Sequence, residues 1–280
     1  MSEILSRIAD YFAVASIPRA FILGLVVSVC ASLLGVSLVL KRYSMIGDGL
    51  AHVGYGTLTV AYVLNTESIY ISIPVVVAAA FFLLRLSENG KIKGDSAIAI
   101  VSSTSLALGT FITYITNNNT ADVCNYLFGS MLNIKKDVAI LSMVLSVVVI
   151  VFFVLLYNRI FAVTFDETFA KATGTKAGLY NSAIALLTAI TVVVGMKIMG
   201  AMLISSLIIF PSLTSMRFCK HFKAVVIYSA IISFICYIIG FFTALLTGTP
   251  TGAGIVLINA AIFIIVSLIT AIYKRKGLKK

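Results

Sequence analysis

The sequence carries little charge for its length. Of its 280 residues only 11% are charged and 60% are hydrophobic, while tryptophan is absent. A soluble domain usually has about 25% charged residues, so this chain has less than half of the charge needed to cover a water-facing surface. These proportions exclude a soluble globular domain and indicate an integral membrane protein.

Cysteine and histidine are also scarce, and no cysteine belongs to a C-x-x-C pair. The chain contains Cys30, Cys124, Cys219 and Cys236, together with His52 and His221. This spacing argues against a structural zinc site and against a disulfide framework. The G-x-x-x-x-G-K-[ST] loop of nucleotide-binding proteins is missing as well, so the chain has no ATP site of that kind.

Long apolar runs make up most of the sequence. They lie at Phe21–Leu40, Leu50–Leu64, Ile69–Leu86, Ser96–Ile115, Val138–Tyr157, Leu179–Met196, Ile198–Met216, Ala224–Leu246 and Gly254–Tyr273. A helix needs roughly 20 apolar residues to cross a bilayer, and these runs lack the alternation of barrel strands. The predicted fold is all-α: one polytopic domain over residues 1–280 with nine transmembrane helices. Eight helices result if the two runs flanking Gly195–Gly200 form one bent element.

The basic residues are distributed unevenly among the loops. Sixteen of the 21 lysines and arginines lie in alternate loops and the C-terminal tail, which places the C-terminus in the cytoplasm. With nine spans the N-terminus is outside the plasma membrane. The net charge of +11 therefore reflects membrane orientation and predicts no nucleic-acid partner. Segment 1–17 has apolar residues at helical spacing, so it is either an amphipathic helix in the membrane interface or a frayed tail.

Asp48 and His52 are unusual because they stand at the start of the second apolar run. Four helical residues turn through about 400°, so the two side chains share one stripe, which Ser44 and Gly56 would extend. An ionisable residue inside a membrane is costly unless it faces water or a partner. A carboxylate and an imidazole one turn apart can bind a divalent transition metal. Alternatively, Asp48 caps the helix N-terminus or interacts favourably with its dipole, and His52 forms a hydrogen bond with a neighbouring helix.

Pro211 also falls within an apolar run. A proline inside a helix lacks the N–H donor, so it should kink the helix or leave a carbonyl group free. Broken helices often line transport pathways, whereas a kink that serves packing is the other explanation.

The loop at residues 158–178 contains the pattern of a short helix. Thr164 is a possible N-cap, Asp166 and Glu167 occupy the first turn, and Gly174 is the stop signal. Phe165 and Phe169 would then lie on one exposed face. Exposed aromatic side chains call for a partner surface, although this helix could instead fold back onto its own membrane domain.

Four stretches resemble the membrane-spanning permeases of ABC transporters that import zinc, manganese or iron. They are Ser44–Gly56, Tyr126–Gly129, Phe165–Gly174 and Gly200–Thr214. The stretch Ser212–Thr214 departs from the alanine-rich sequence that this family often has after the proline, which leaves the local helix contact open.

The resemblance implies a division of labour between subunits. Phe165–Gly174 corresponds to a coupling helix that docks on a separate cytoplasmic ATP-binding subunit, so the chain itself is not an enzyme. Asp48 and His52 match a polar pair that is implicated in the metal path. The family works as a membrane dimer, for which we expect a homodimer, and an extracellular metal-binding lipoprotein delivers the ion.

The leading hypothesis is therefore the permease of an ABC importer for a divalent metal ion. No cofactor is expected to be bound permanently, and the ion, zinc or manganese, is the substrate. The alternative is a secondary transporter driven by an ion gradient, with Asp48 as the proton carrier. An intramembrane enzyme would need a further catalytic His or Glu within a span, and none is present.

Overall fold

The structure, a computed structural model, describes residues 16–64, 66, 68–88, 94–116, 129 and 136–277. All regular secondary structure in these ranges is helical, which confirms the all-α prediction. Helices suit lipid because each one satisfies its backbone hydrogen bonds within a single segment. Of the predicted interfacial segment 1–17, only Ser16 and Ile17 are among the described residues, and they begin the first helix.

Within these ranges the chain forms long helices and two short ones. In chain order they are α1 (Ser16–Leu40), α2 (Ile46–Val63), α3 (Ser68–Glu88), α4 (Gly94–Ile115), α5 (Lys136–Leu155), α6 (Tyr157–Phe165), α7 (Glu167–Ala172), α8 (Ala177–Met199), α9 (Ala201–Met216), α10 (Phe222–Thr247) and α11 (Thr251–Gly277). Seven helices in the described part of the chain are long and apolar enough to cross a membrane, so the predicted count of nine is not confirmed. The two other long helices are α2, which carries Asp48 and His52, and α9, which has 16 residues.

Helices α1 and α8 form the centre of the bundle. In their most apolar stretches 72% of the residues are buried, compared with 11% in α4 and α11. Helix α1 packs against α5, α8, α9 and α10, and α2 packs against α3, α4, α8 and α9. The outer helices therefore leave most of their apolar surface to the lipid or to another chain.

The predicted runs on either side of Gly195–Gly200 form two helices. Helix α8 ends at Met199 and α9 begins at Ala201, with Gly200 between them at a φ of 89°. This left-handed backbone favours glycine because it has no Cβ. A single bent element is therefore not formed, and the chain reverses at Gly200.

Small polar side chains join α1, α9 and α10. Ser212 Oγ and Ser229 Oγ lie 3.4 and 3.2 Å from the carbonyl oxygen of Ser32, and 3.3 Å from each other. Ser233 Oγ donates to the Ser28 carbonyl oxygen at 2.9 Å. Small residues and interhelical hydrogen bonds hold helices together in lipid. Ser212, where the sequence departs from the alanine-rich pattern, thus contacts both neighbouring helices.

Replacing Gly35 by alanine should destabilise this packing. A Cβ at Gly35 would lie 2.0 Å from the carbonyl oxygen of Ile208 and 2.6 Å from Ser212 Oγ. Because a helix backbone must move to accept it, we expect Gly35→Ala to lower the free energy of unfolding by about 1–3 kcal/mol. Thermal unfolding of the purified protein in detergent measures the change.

Gly178→Ala is the matched control for this variant. No atom lies within 4 Å of a Cβ built at Gly178, which is exposed in the first turn of α8. We expect this substitution to leave the melting temperature unchanged or slightly raised, because alanine restricts the unfolded chain more than glycine. Equal melting temperatures for the Gly35→Ala variant and the wild type would contradict the close packing of α1 on α9.

Candidate functional site

The connection between α1 and α2 determines where Asp48 lies. Arg42 adopts a φ of 62°, and the backbone bonds Arg42 N–Val39 O and Tyr43 N–Leu38 O complete a Schellman motif at the end of α1. Helix α2 then begins at Ile46, four residues before the predicted apolar run, which places Asp48 in its first turn. Ser44 lies in the connection and therefore does not extend the stripe of Asp48 and His52 along the helix.

The side chains of Asp48 and His52 face each other across one turn of α2. His52 Nε2 lies 3.5 Å from Asp48 Oδ2. The exposed fraction is 18% for the His52 side chain and 38% for the Asp48 side chain. The Asp48 carboxylate therefore stays partly open although its helix packs inside the bundle.

Ser205 of α9 is a third polar side chain at this site. Its hydroxyl lies 3.5 Å from Asp48 Oδ1 and also donates to the Ala201 carbonyl oxygen at 3.1 Å. Sequence reasoning did not single out Ser205, although the residue lies within the stretch Gly200–Thr214. A serine in an apolar run carries no signal of its partner, because only the packing of α9 on α2 brings the two groups together.

The two ring nitrogens of His52 have different surroundings. Nε2 faces the Asp48 carboxylate, whereas Nδ1 is buried and has no hydrogen-bond partner among the described residues. No group of three or more His, Cys, Asp or Glu side chains suited to a metal ion occurs in that part of the chain. A resident zinc ion usually has four ligands, or three and a water molecule. Among the described residues, Asp48 and His52 thus lack the further ligands that a resident zinc ion would need.

Pro211 lies farther along the same helix as Ser205. It is buried, and α9 continues through it to Met216. The proline thus lies inside a continuous helix, where the predicted kink or free carbonyl would arise. Its missing N–H still leaves the Leu207 carbonyl without its usual helical donor.

Residues 157–172 form two short helices instead of the one predicted helix. Asp166 separates α6 from α7 and caps α7: its Oδ1 accepts from the Phe169 backbone N–H at 2.9 Å and from Thr168 Oγ1 at 2.6 Å. These bonds, the first above all, hold the pKa of Asp166 below its usual value. The predicted cap, Thr164, is instead buried in α6.

Two of the three phenylalanines in residues 157–172 are largely exposed. The exposed fraction is 79% for Phe165, the last residue of α6, and 66% for Phe169 in α7. The opposite side of α7 packs on the chain itself, where Ala170 contacts Val163 and Ala177. Gly174 follows α7 with a φ of 79° and is exposed. Helix α7 therefore folds back onto its own domain through Ala170, while Phe169 of α7 and Phe165 at the end of α6 stay exposed.

Glu167 points towards the membrane domain. Its carboxylate lies 2.8 Å from Lys171 Nζ and 3.4 Å from Lys41 Nζ, and it accepts from Asn181 Nδ2 at 3.0 Å. Partial burial raises the pKa of Glu167, but the bonds from Lys171 and Asn181 and the charge of Lys41 outweigh it and hold the pKa at about 2. Glu167 is therefore ionised at neutral pH and joins α7 to the ends of α1 and α8.

The amino-acid sequence is similar to those of known membrane transport proteins. Residues 13–270 match the ABC 3 transport family. The chain is 28% identical over 243 residues to the high-affinity zinc uptake system membrane protein ZnuB of Buchnera aphidicola subsp. Acyrthosiphon pisum, covering 86% of this chain and 93% of that protein. It is 25% identical over 247 residues to the manganese import system permease protein ScaB of Streptococcus gordonii, covering 88% of each.

A solved structure has the same fold. The structure of PsaBC from Streptococcus pneumoniae in complex with Fab superimposes with a TM-score of 0.83 at 24% sequence identity. The match covers 94% of this chain and 95% of the other.

Proposed function

This chain belongs to the ABC 3 transport family, and we propose that it is the permease subunit of an importer that carries a divalent transition-metal ion into the cytoplasm. The relatives named above are a zinc and a manganese transport protein. Zinc or manganese is therefore the proposed substrate. Carboxylate and imidazole ligands suit either ion, so the choice between them is left to the transport measurement.

The observation that carries this proposal is the partly open Asp48–His52 pair inside a helical bundle. An ionised carboxylate with 38% of its side chain exposed would be costly against lipid, so it requires water or another chain beside it. A hydrated path for a cation meets that requirement. Asp48 would supply an oxygen and His52 a nitrogen, and so small a ligand set lets the ion leave again.

A second copy of the chain is the proposed neighbour on the open side of this pair. A homodimer would enclose the path between two sets of Asp48 and His52 and shield both from lipid. Ser205 would help to orient each carboxylate from α9.

The proposed topology has nine crossings in the plasma membrane, with the short α9 and the polar α2 as the two helices beyond the seven apolar ones. Lys41 contacts Glu167 of α7, and Phe222 at the start of α10 contacts Phe161 of α6. The basic residues Arg159, Lys171, Arg217, Lys220 and Lys223 lie in or beside the same connections. Because cytoplasmic loops are rich in Lys and Arg, we propose that this end and the C-terminus are inside and the N-terminus is outside.

The proposed partners follow from this topology. A cytoplasmic ATP-binding subunit would dock on Phe165 and Phe169, and its ATP hydrolysis would alternate the access of the path between the two sides. An extracellular metal-binding lipoprotein would deliver the ion. A transporter driven only by an ion gradient would not account for two exposed phenylalanines beside a capped helix at the basic end of the bundle.

The test is metal uptake by the reconstituted complex. The permease, its ATP-binding subunit and its binding lipoprotein are placed in liposomes, and Zn²⁺, Mn²⁺, Fe²⁺ and Mg²⁺ are compared. We expect one or more of the three transition metals to accumulate only with ATP and to stimulate hydrolysis, and Mg²⁺ to do neither. Uptake driven by a proton gradient without the ATP-binding subunit would contradict the proposal and favour the secondary transporter.

A further inference from the structure

A polar contact links the short helix α7 to two membrane helices. Lys41 directly follows α1, Glu167 begins α7, and Asn181 lies in the second turn of α8. The Lys41 ammonium lies 3.4 Å from Glu167 Oε2 and also donates to Asn181 Oδ1. Asn181 Nδ2 donates to the same carboxylate oxygen at 3.0 Å. We call these three residues the Lys41–Glu167–Asn181 contact.

The Lys41 side chain is enclosed at this contact. Its exposed fraction is only 11%, so its charge is largely removed from water. A buried ammonium group is stable only when a carboxylate and further acceptors compensate for the lost hydration. The Glu167 carboxylate supplies that charge. Elsewhere α7 packs on the domain through Ala170, which contacts Val163 of α6 and Ala177 of α8. Movement of α7 would therefore pull on Lys41 through this ion pair.

Lys41 is connected to the metal site by a short and well-bonded segment. Its backbone N–H bonds to the Ser37 carbonyl oxygen at 3.1 Å, and the Schellman motif at Arg42 follows immediately. The Ile46 N–H bonds back to Tyr43 at 3.0 Å, and the next turn of α2 contains Asp48. These backbone bonds leave the segment between Lys41 and Asp48 few free dihedral angles. A displacement of Lys41 would therefore shift the start of α2.

We propose that Glu167 is a positioning residue that transmits the movement of α7 through Lys41 to the first turn of α2, and thereby couples ATP hydrolysis to the metal site. This inference rests on the proposed function. It assigns Glu167 an inward role, whereas Phe165 and Phe169 carry the contact with the ATP-binding subunit. A movement of α7 at the cytoplasmic surface would then reach Asp48 through the short connection between α1 and α2.

The test uses the reconstituted complex and the variants Glu167→Gln, Lys41→Met and the double variant. Glutamine keeps the size and much of the hydrogen bonding of Glu167, and methionine keeps the stem of Lys41, so each removes mainly charge. The readouts are metal ions imported per ATP hydrolysed and co-purification of the ATP-binding subunit. We expect co-purification to stay near wild type while the ratio of ions to ATP falls about 10-fold in each single variant.

The double variant tests whether the two residues act as one unit. If they do, its ratio should be no lower than that of either single variant, since the second substitution removes nothing further. Lys176→Ala is the matched control: this exposed lysine lies directly before α8 and outside Phe165–Gly174, and its substitution should leave the ratio near wild type.

Three outcomes would overturn the inference. A wild-type ratio in both single variants would show that the charges do not couple α7 to transport. Loss of the ATP-binding subunit from the Glu167→Gln variant would place the residue in the docking surface instead. Independent, multiplying losses in the double variant would show two separate roles. In each case the wild-type complex still imports metal, whereas absence of uptake by the wild type would instead count against the proposed function.

Discussion

A permease with Asp48→Ala and His52→Ala should assemble with its partner subunits and lose about 100-fold in metal uptake at low metal concentration. Changing even the groups that orient a metal ligand typically lowers metal affinity by about 10–100-fold, and this variant removes both proposed ligands. The measurement is initial uptake of the preferred ion into liposomes, together with co-purification of the ATP-binding subunit.

Assembly should survive because the two side chains are not part of the apolar core. Both are partly exposed, and the packing of α2 depends on its apolar and glycine positions. Alanine also favours the helix more than aspartate or histidine does. Loss of uptake with intact assembly would therefore report on the path and not on folding.

The chain offers a matched control for this variant in Asp137 and His221. They are of the same two residue types, but Asp137 is exposed in the first turn of α5 and His221 is exposed directly before α10. We expect Asp137→Ala/His221→Ala to retain uptake within about 2-fold, as surface substitutions usually change stability by no more than about 0.5 kcal/mol. Undiminished uptake by the Asp48→Ala/His52→Ala variant would reject the metal role of this pair.

The second large effect is expected at the exposed phenylalanines. Phe165→Ala/Phe169→Ala should weaken binding of the ATP-binding subunit by about 30-fold or more, because a central aromatic contact at an interface is typically worth 2 kcal/mol or more. Titration of the purified permease in detergent with the isolated ATP-binding subunit measures the dissociation constant. Transport and metal-stimulated ATP hydrolysis should fall with it.

Exposed aromatic residues elsewhere provide the control for this variant. Phe111 and Tyr114 of α4 are 63% and 87% exposed on the outer side of the bundle. We expect Phe111→Ala/Tyr114→Ala to leave the affinity for the ATP-binding subunit unchanged, since the proposed docking surface lies at α6 and α7. An equal loss in both double variants, or no loss at Phe165 and Phe169, would contradict that surface.

Several features of the site follow from local sequence alone. Low charge and unbroken apolar runs predict membrane helices, because lipid leaves the backbone no other way to satisfy its hydrogen bonds. A spacing of four residues places Asp48 and His52 one turn apart on any helix that contains both. The exposure of Phe165 and Phe169 agrees with a short polar segment between membrane helices.

The starting points of α7 and α2 could not be read from the local sequence pattern alone. Thr164 and Asp166 are both good cap residues, and the structure uses Asp166, because Thr164 is buried in α6 against the domain. Likewise, α2 begins at Ile46 because the Schellman motif at Arg42 turns the chain before the apolar run starts. In each case burial or a turn made by neighbouring residues overrode the pattern.

By itself, the sequence determined the class of protein, its helical character and the pairing of Asp48 with His52, since each depends on composition or on residues a few positions apart. Only the tertiary structure decided that Ser205 approaches Asp48, that Glu167 points inward to Lys41, and that Ser212 holds α9 against α1 and α10. These contacts join residues more than a hundred positions apart. They exist because helices pack where small side chains allow close approach, which no periodicity within one helix encodes.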